Sequence, residues 1–306
     1  MSGMTHPMPR GGRARGLAIS AWLTGIYFIV ELGIGIWTGS VAVLSDAFHT
    51  FSAVGGVVLA IVASRLARRP ANQAQTYGYG RTEILGAFLN GLFLLGMAIV
   101  VIWMGGMRLR HPVDLPTTPM LWAAAGGIAT EAVSLWLLYR HQKGDLNVQG
   151  AFWHVIQTFV GSLIIILSAL VIRFTGFLLI DPLLGMLFGF VLLWASWGIM
   201  RDSVTILLQG TPSDFDMNRA LAEIRAMPGV SNLHHVHAWS LTSGRTVFSA
   251  HVCVDRWESA EDVRRAVHDL LRDRFSVYFS TIQVEQQCAD REEAPEIDVL
   301  AVNERR

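Results

Sequence analysis

Six apolar stretches, each close to the about 20 residues that an α-helix needs to cross a bilayer, set the first limit on what this chain can become. They run approximately over 17–37, 41–64, 84–107, 119–139, 149–172 and 177–200. Inside hydrocarbon the backbone must satisfy its own hydrogen bonds within each segment, so runs of this length predict helices. The balance of residues agrees, since 52 % are apolar and only 16 % charged, against roughly 25 % charged in an average soluble domain. The expected layout is a cytosolic N-terminal arm over 1–16 and an all-α six-helix transmembrane bundle over 17–208. A small domain over 209–290 and a disordered tail over 291–306 follow. The arm is short and Arg-rich, and the apolar run after it is long enough to span, so no cleavable signal is expected.

An even number of spans puts both termini on one side, and Lys and Arg decide which. Arg10, Arg13, Arg15, Arg65, Arg68, Arg69, Arg81, Arg140, Lys143 and Arg201 flank one face, against Arg108, Arg110 and Arg173 on the other. The positive-inside rule then predicts an integral protein of the plasma (inner) membrane with both termini cytosolic.

The net charge of zero hides an asymmetry. Residues 1–210 hold 13 Lys+Arg against 8 Asp+Glu, whereas residues 211–306 hold 11 against 16. An acidic end would repel phosphates, and no basic cluster is interleaved with aromatics, so no nucleic-acid partner is expected. No Gly-rich phosphate loop sits between a strand and a helix, which argues against nucleotide-driven work. No nucleophile with an orienting base is evident, so the chain reads as a non-enzyme with no catalytic residues and no bound cofactor. Cys253 and Cys288 are the only cysteines; they make no disulfide framework, and in the cytosol both thiols are expected to stay reduced.

After Thr211-Pro212 the pattern changes to short mixed elements. The sequence predicts a helix near 215–227, strands near 231–241 and 245–255, a helix near 258–274 and a strand near 278–286, with Ser243-Gly244 as a hairpin turn. The order αββαβ implies a cytosolic α+β domain of ferredoxin-like or metallochaperone-like type, with both helices on one side of an open sheet.

Ionisable residues inside spans are expensive and mark pathways, which singles out Glu31, Asp46, His49, Glu131, His154 and Asp181. Asp181, followed by Pro182, fits a cap at the start of the sixth helix. Glu131 and Glu31 could each hydrogen-bond a neighbouring helix, although the glycines Gly33 and Gly35 would let another helix approach Glu31 closely. Asp46 and His49 share one helix face a turn apart and offer an oxygen and an imidazole nitrogen. His154 lies at a similar depth in the fifth helix, and each histidine has a glycine seven residues later, Gly56 and Gly161. That pairing predicts close packing of the second and fifth helices with the two imidazoles facing each other.

In the small domain, alternation places His235, His237 and Trp239 on one strand face and aligns His251 with Cys253. Such a face suits either a soft metal or a dimer interface.

These residues resemble the cation diffusion facilitator family of divalent-metal/proton antiporters. The matching stretches are Gly39-Ser-Val-Ala-Val-Leu-Ser-Asp-Ala-Phe-His49, Tyr77-Gly-Tyr-Gly-Arg-Thr-Glu-Ile-Leu-Gly-Ala-Phe-Leu-Asn-Gly91 and Asn147-Val-Gln-Gly-Ala-Phe-Trp-His154. Asp181-Pro182, Leu233-His-His-Val-His-Ala-Trp239, Ser249-Ala-His-Val252 and Thr281-Ile-Gln-Val-Glu285 extend the match over nearly the whole chain. The resemblance implies efflux of zinc or a related transition metal in exchange for protons, and a homodimer joined through the C-terminal domain. It also implies regulatory zinc held by His234, His251 and Glu285 between protomers. Relatives often place a His shortly before the Thr-Ile-Gln-x-Glu stretch, where Tyr278 and Phe279 stand here.

Typical members carry His-x-x-x-Asp on the second and fifth helices, two imidazoles and two carboxylates that enclose the ion. Here Ala53 follows His49 by four residues and Thr158 follows His154 by four, so both carboxylates are missing. Two neutral imidazoles leave about two positive charges in a low-dielectric interior. One reading is that Asp46 or Glu31 substitutes as the anionic ligand, with Thr50, Gln157 or Thr158 and water completing the sphere. The site residues are then His49, His154 and Asp46. A second reading makes the chain a non-transporting or regulatory partner subunit of a competent transporter, and a third gives it a different cation at a wetter site. With two aspartates fewer to titrate, the first reading predicts fewer protons exchanged per ion.

Overall fold

The computed structural model describes residues 10–139 and 146–286. The tail expected over 291–306 and the flanking Arg140 and Lys143 lie outside the described residues. Six long helices come first: α1 Arg10–Thr38, α2 Val41–Ala67, α3 Thr82–Arg110, α4 Thr117–Tyr139, α5 Leu146–Thr175 and α6 Ile180–Leu207. All six are long and apolar enough to cross a membrane, as the sequence predicts. Trp22, Trp37, Trp122, Trp136 and Trp194 are exposed on them, which suits side chains that meet lipid rather than water.

Two compact units divide the chain, one of Met1–Ile61 with Leu89–Met200 and one of Val62–Phe88 with Arg201–Arg306. In the first unit α4 packs along both α1 and α5. Small residues make the approach possible: a Cβ added at Gly127 would collide with the Ser162 hydroxyl and stand 2.7 Å from the Tyr27 oxygen. The Tyr27 hydroxyl donates to the Ala123 carbonyl at 3.0 Å.

The α1–α2 corner follows from local chemistry. Gly39, at φ +69°, ends α1 in the left-handed conformation that glycine adopts without strain. Ser40 then caps α2, its hydroxyl accepting from the Val43 N–H at 3.1 Å. Asp181 completes this corner from the far end of the chain. It accepts from the Ser40 hydroxyl at 2.5 Å and the Val41 N–H at 2.7 Å, so it caps α2 rather than its own helix. The sequence pattern Asp181-Pro182 points to a cap on α6; the fold instead lays the α2 N-terminus beside this aspartate.

In the second unit, α7 Met217–Arg225 precedes β1 Val230–Thr242 and β2 Arg245–Val254, and α8 Ala260–Phe275 precedes β3 Phe279–Glu285. The sheet order is β1-β2-β3, antiparallel between the first two and parallel between the last two. Ala220, Leu221 and Ile224 of α7 and Val263, Val267 and Leu271 of α8 share one core with Leu233, Val236, Phe248 and Val252. Both helices therefore cover one sheet face, as the αββαβ order predicts.

Candidate metal centre

Each imidazole is placed by its helix. His49 lies two turns into α2, and His154 lies in the first third of α5. Their ring centroids are 4.9 Å apart at an interplanar angle of 39°. Phe188 of α6 packs edge-on against His49 at 5.6 Å, so three helices enclose the pair. Both ring nitrogens of His49 and Nε2 of His154 are buried without a hydrogen-bond partner. Leaving a buried polar atom unpaired costs about 1–3 kcal/mol, and a ligand accepted between the rings would remove that penalty.

The surroundings separate the proposed auxiliary ligands. Thr50 is buried with its hydroxyl unpartnered. Thr158, at the position where the family resemblance implies an aspartate, donates to the Val155 carbonyl at 2.9 Å, while Gln157 is exposed. Asp46 is buried, and among the described residues its carboxylate meets Glu31 of α1 and Glu131 of α4 rather than the imidazoles. Gly161 of α5 makes room for it, since a Cβ there would collide with Asp46 Oδ1. Of the two glycines offset by seven from the histidines, Gly161 thus serves the α2–α5 approach. Gly56 instead faces Asn90 of α3, 3.2 Å from an added Cβ. A Cβ added at Gly35 would stand 2.9 Å from Leu44 Cδ2, whereas one at Gly33 would meet nothing within 4 Å.

The second cluster lies on the sheet. His251 Nδ1 is 2.9 Å from Glu285 Oε1, and His234 Nε2 is 3.4 Å from Glu285 Oε2. His235 joins them, so that the three rings lie 5.1–5.2 Å apart pairwise. Strict alternation would have put His234 on the helix-covered face and His235 opposite. A bulge intervenes: the pairing register shifts between His234 and His237, and His235 adopts φ +49°. Two successive histidines then share the open face, while Leu233, Val236 and Ala238 all reach the core. The apolar spacing of three and then two residues was the sequence signal for the bulge.

His234, Cys253 and Glu285 form the one group of three metal-type ligands whose donor atoms all lie within 4.8 Å among the described residues. Cys253 Sγ is 3.7 Å from His234 Nδ1, but Cys253 is disulfide-bonded, against the expectation of a reduced thiol. The nitrogen and oxygen donors of His234, His251 and Glu285 fit a zinc-type ion, and the buried His234 Nε2, 3.4 Å from Glu285 Oε2, makes no directed hydrogen bond. Tyr278 and Phe279, where the family resemblance implies a histidine, are exposed.

The chain matches the family model described as the cation efflux transmembrane domain over residues 17–208, and the cation efflux protein cytoplasmic domain over 212–287. It is 36 % identical over 285 residues to the metal cation efflux system protein CzcD of Cupriavidus metallidurans, covering 93 % of this chain and 90 % of that protein. A cadmium, cobalt and zinc/H(+)-K(+) antiporter of Bacillus subtilis is 33 % identical, with 95 % of each chain covered. Zinc transporter ZitB of Escherichia coli is 31 % identical, over 92 % of this chain and 90 % of its own length.

Proposed function

Because the chain belongs to the cation efflux family, a group of divalent-metal transporters rather than enzymes, we propose that it exports zinc or a closely related transition metal from the cytosol in exchange for protons. The observation that carries this reading is the pair of facing imidazoles, His49 and His154, with buried, unpartnered nitrogens at 4.9 Å between rings. Neutral imidazole is a good ligand for zinc, and the same nitrogen binds either a metal ion or a proton. Asp46, a turn away on α2, supplies the negative charge nearest to them along that helix.

Transport follows by alternating access around this site. With the termini in the cytosol, a metal ion enters from that side, displaces protons from the site and leaves when the opposite side opens and protons return. The division into an N-terminal arm, a membrane domain to residue 208 and a cytosolic domain to residue 290 belongs to this reading. So do the plasma membrane location and a homodimer joined through the C-terminal domains, in which His234, His251 and Glu285 sense cytosolic metal.

The rival reading, a non-transporting partner subunit, rests on Ala53 and Thr158 standing where the family resemblance implies aspartates. Two packed imidazoles with three buried, unpartnered nitrogens speak against a vestigial site, because apolar side chains would fill the same space without that penalty. Proteoliposomes holding only this chain and a trapped pH dye test the proposal. Zinc-dependent proton movement that disappears in His49→Ala is the expected result, with fewer protons per ion than in relatives that keep both aspartates. Proton flux that needs no metal and persists in His49→Ala would overturn it.

A further inference from the structure

Cys253 is 1 % exposed, and a buried cysteine ordinarily packs as a small apolar group. Its neighbours Val252 and Val254 do so, in the core under the helices. Alternation turns Cys253 to the other side of β2, the side that carries His251. Strand pairing sets the company there: Cys253 stands opposite Glu285 of β3, and His234 of β1 opposite His251 of β2. Cys253 Sγ is 3.7 Å from His234 Nδ1, and one donor atom each from His234, Cys253 and Glu285 lies within 4.8 Å of the others. Ligands of a tetrahedral zinc ion stand roughly 3.5 Å apart, a contraction that small side-chain torsions supply. His234 is 6 % exposed, and its Nε2 makes no directed hydrogen bond.

The same sulfur is held in a disulfide. Cys288 is the only other cysteine in the chain and lies outside the described residues. The two uses of Cys253 exclude each other, because the ligand of a zinc-type ion is the thiolate and a disulfide sulfur has no such charge to give.

We propose that Cys253 is a redox-controlled ligand of the cytosolic metal site, joining His234, His251 and Glu285 once its disulfide is reduced. Two molecules of a low-molecular-weight cytosolic thiol supply the two electrons. Their sulfurs join as a new disulfide, the Cys253–Cys288 bond breaks, and each cysteine takes up one proton. Cys253 gives its proton to water when the divalent ion binds. Thiolate and Glu285 carboxylate together match the two charges of the ion, and the sulfur favours zinc-type ions over magnesium or calcium. Oxidation withdraws that ligand and leaves the weaker nitrogen and oxygen set. The proposal rests on the reading under Proposed function that these residues bind cytosolic metal, and adds the sulfur and its control.

Co²⁺ added to the full chain in lipid nanodiscs tests it, with equilibrium dialysis to count bound ions and near-ultraviolet sulfur-to-cobalt charge transfer to reveal a thiolate ligand. Dialysis uses a His49→Ala/His154→Ala background, so that the imidazole pair of the membrane domain does not contribute; the charge-transfer band is read in the wild-type chain as well. The reduced chain is expected to show the band and to bind Co²⁺ at least tenfold more tightly than the oxidised chain, which shows none. Cys253→Ser is expected to lose both the band and the redox dependence, and Cys288→Ser to show the band with no reductant added. Co²⁺ bound by the reduced chain without charge transfer, a band that persists in Cys253→Ser, or none in reductant-free Cys288→Ser would overturn sulfur ligation and leave the histidine and carboxylate site standing. No bound Co²⁺ in either redox state would remove the sensing reading and the sulfur ligand together.

Discussion

Single side chains decide the chemistry here, and the histidines were the most legible of them. A residue type that is costly inside a span, repeated at matched depth in α2 and α5, foretold that His49 and His154 would meet, and their rings lie 4.9 Å apart. The carboxylates were less legible. Glu31 and Glu131 each looked isolated along the chain, because helical spacing reports neighbours on one helix and says nothing about which other helix lies opposite. Asp46 shares a face with His49 in sequence, yet its carboxylate turns toward those two acids. Thr158→Asp would place a carboxylate one turn from His154; zinc affinity in a competition titration with a chromophoric chelator is expected to rise at least tenfold. His49→Ala is expected to leave the melting temperature of the purified chain within a few degrees of wild type, since the nitrogens it removes hold no partner. A large fall would mean the ring is structural.

Helix ends and strand registers carry the next level of specification. The α2 N-terminus is closed by its own Ser40 and by Asp181 from the start of α6. Asp181→Ala removes the acceptor for a buried hydroxyl and a helix-terminal N–H, which is expected to cost about 2 kcal/mol. A thermal melt of the detergent-solubilised chain would show it as a fall in melting temperature, and Asp181→Asn should recover part of it. On β1 the bulge explains why His234 shares the face of His235 and His251, which strict alternation would not give it. The backbone at His235 is left-handed, where a β-branched residue is strained by roughly 1–2 kcal/mol. His235→Val should therefore destabilise the domain more than His237→Val, whose site has no such backbone, in parallel urea titrations. Equal effects would remove the bulge as an organising element.

Across the whole molecule, length and hydropathy were enough to foretell six membrane helices, and the order of short elements foretold the α+β domain. What sequence could not supply was the grouping of helices around the polar centre: α4 packs between α1 and α5 through Gly127 and Tyr27, and this packing brings Glu131 into the bundle. Composition also leaves the ion open, because imidazole serves several transition metals. The central claim is that metal crosses the membrane between His49 and His154. Its most direct measurement is uptake of radioactive zinc into proteoliposomes containing this chain alone, wild type beside His49→Ala/His154→Ala at equal protein density. Saturable uptake by the wild type, falling at least a hundredfold in the double variant, is the predicted result. Wild-type uptake no faster than in empty vesicles, or uptake by the double variant at the wild-type rate, would contradict the account.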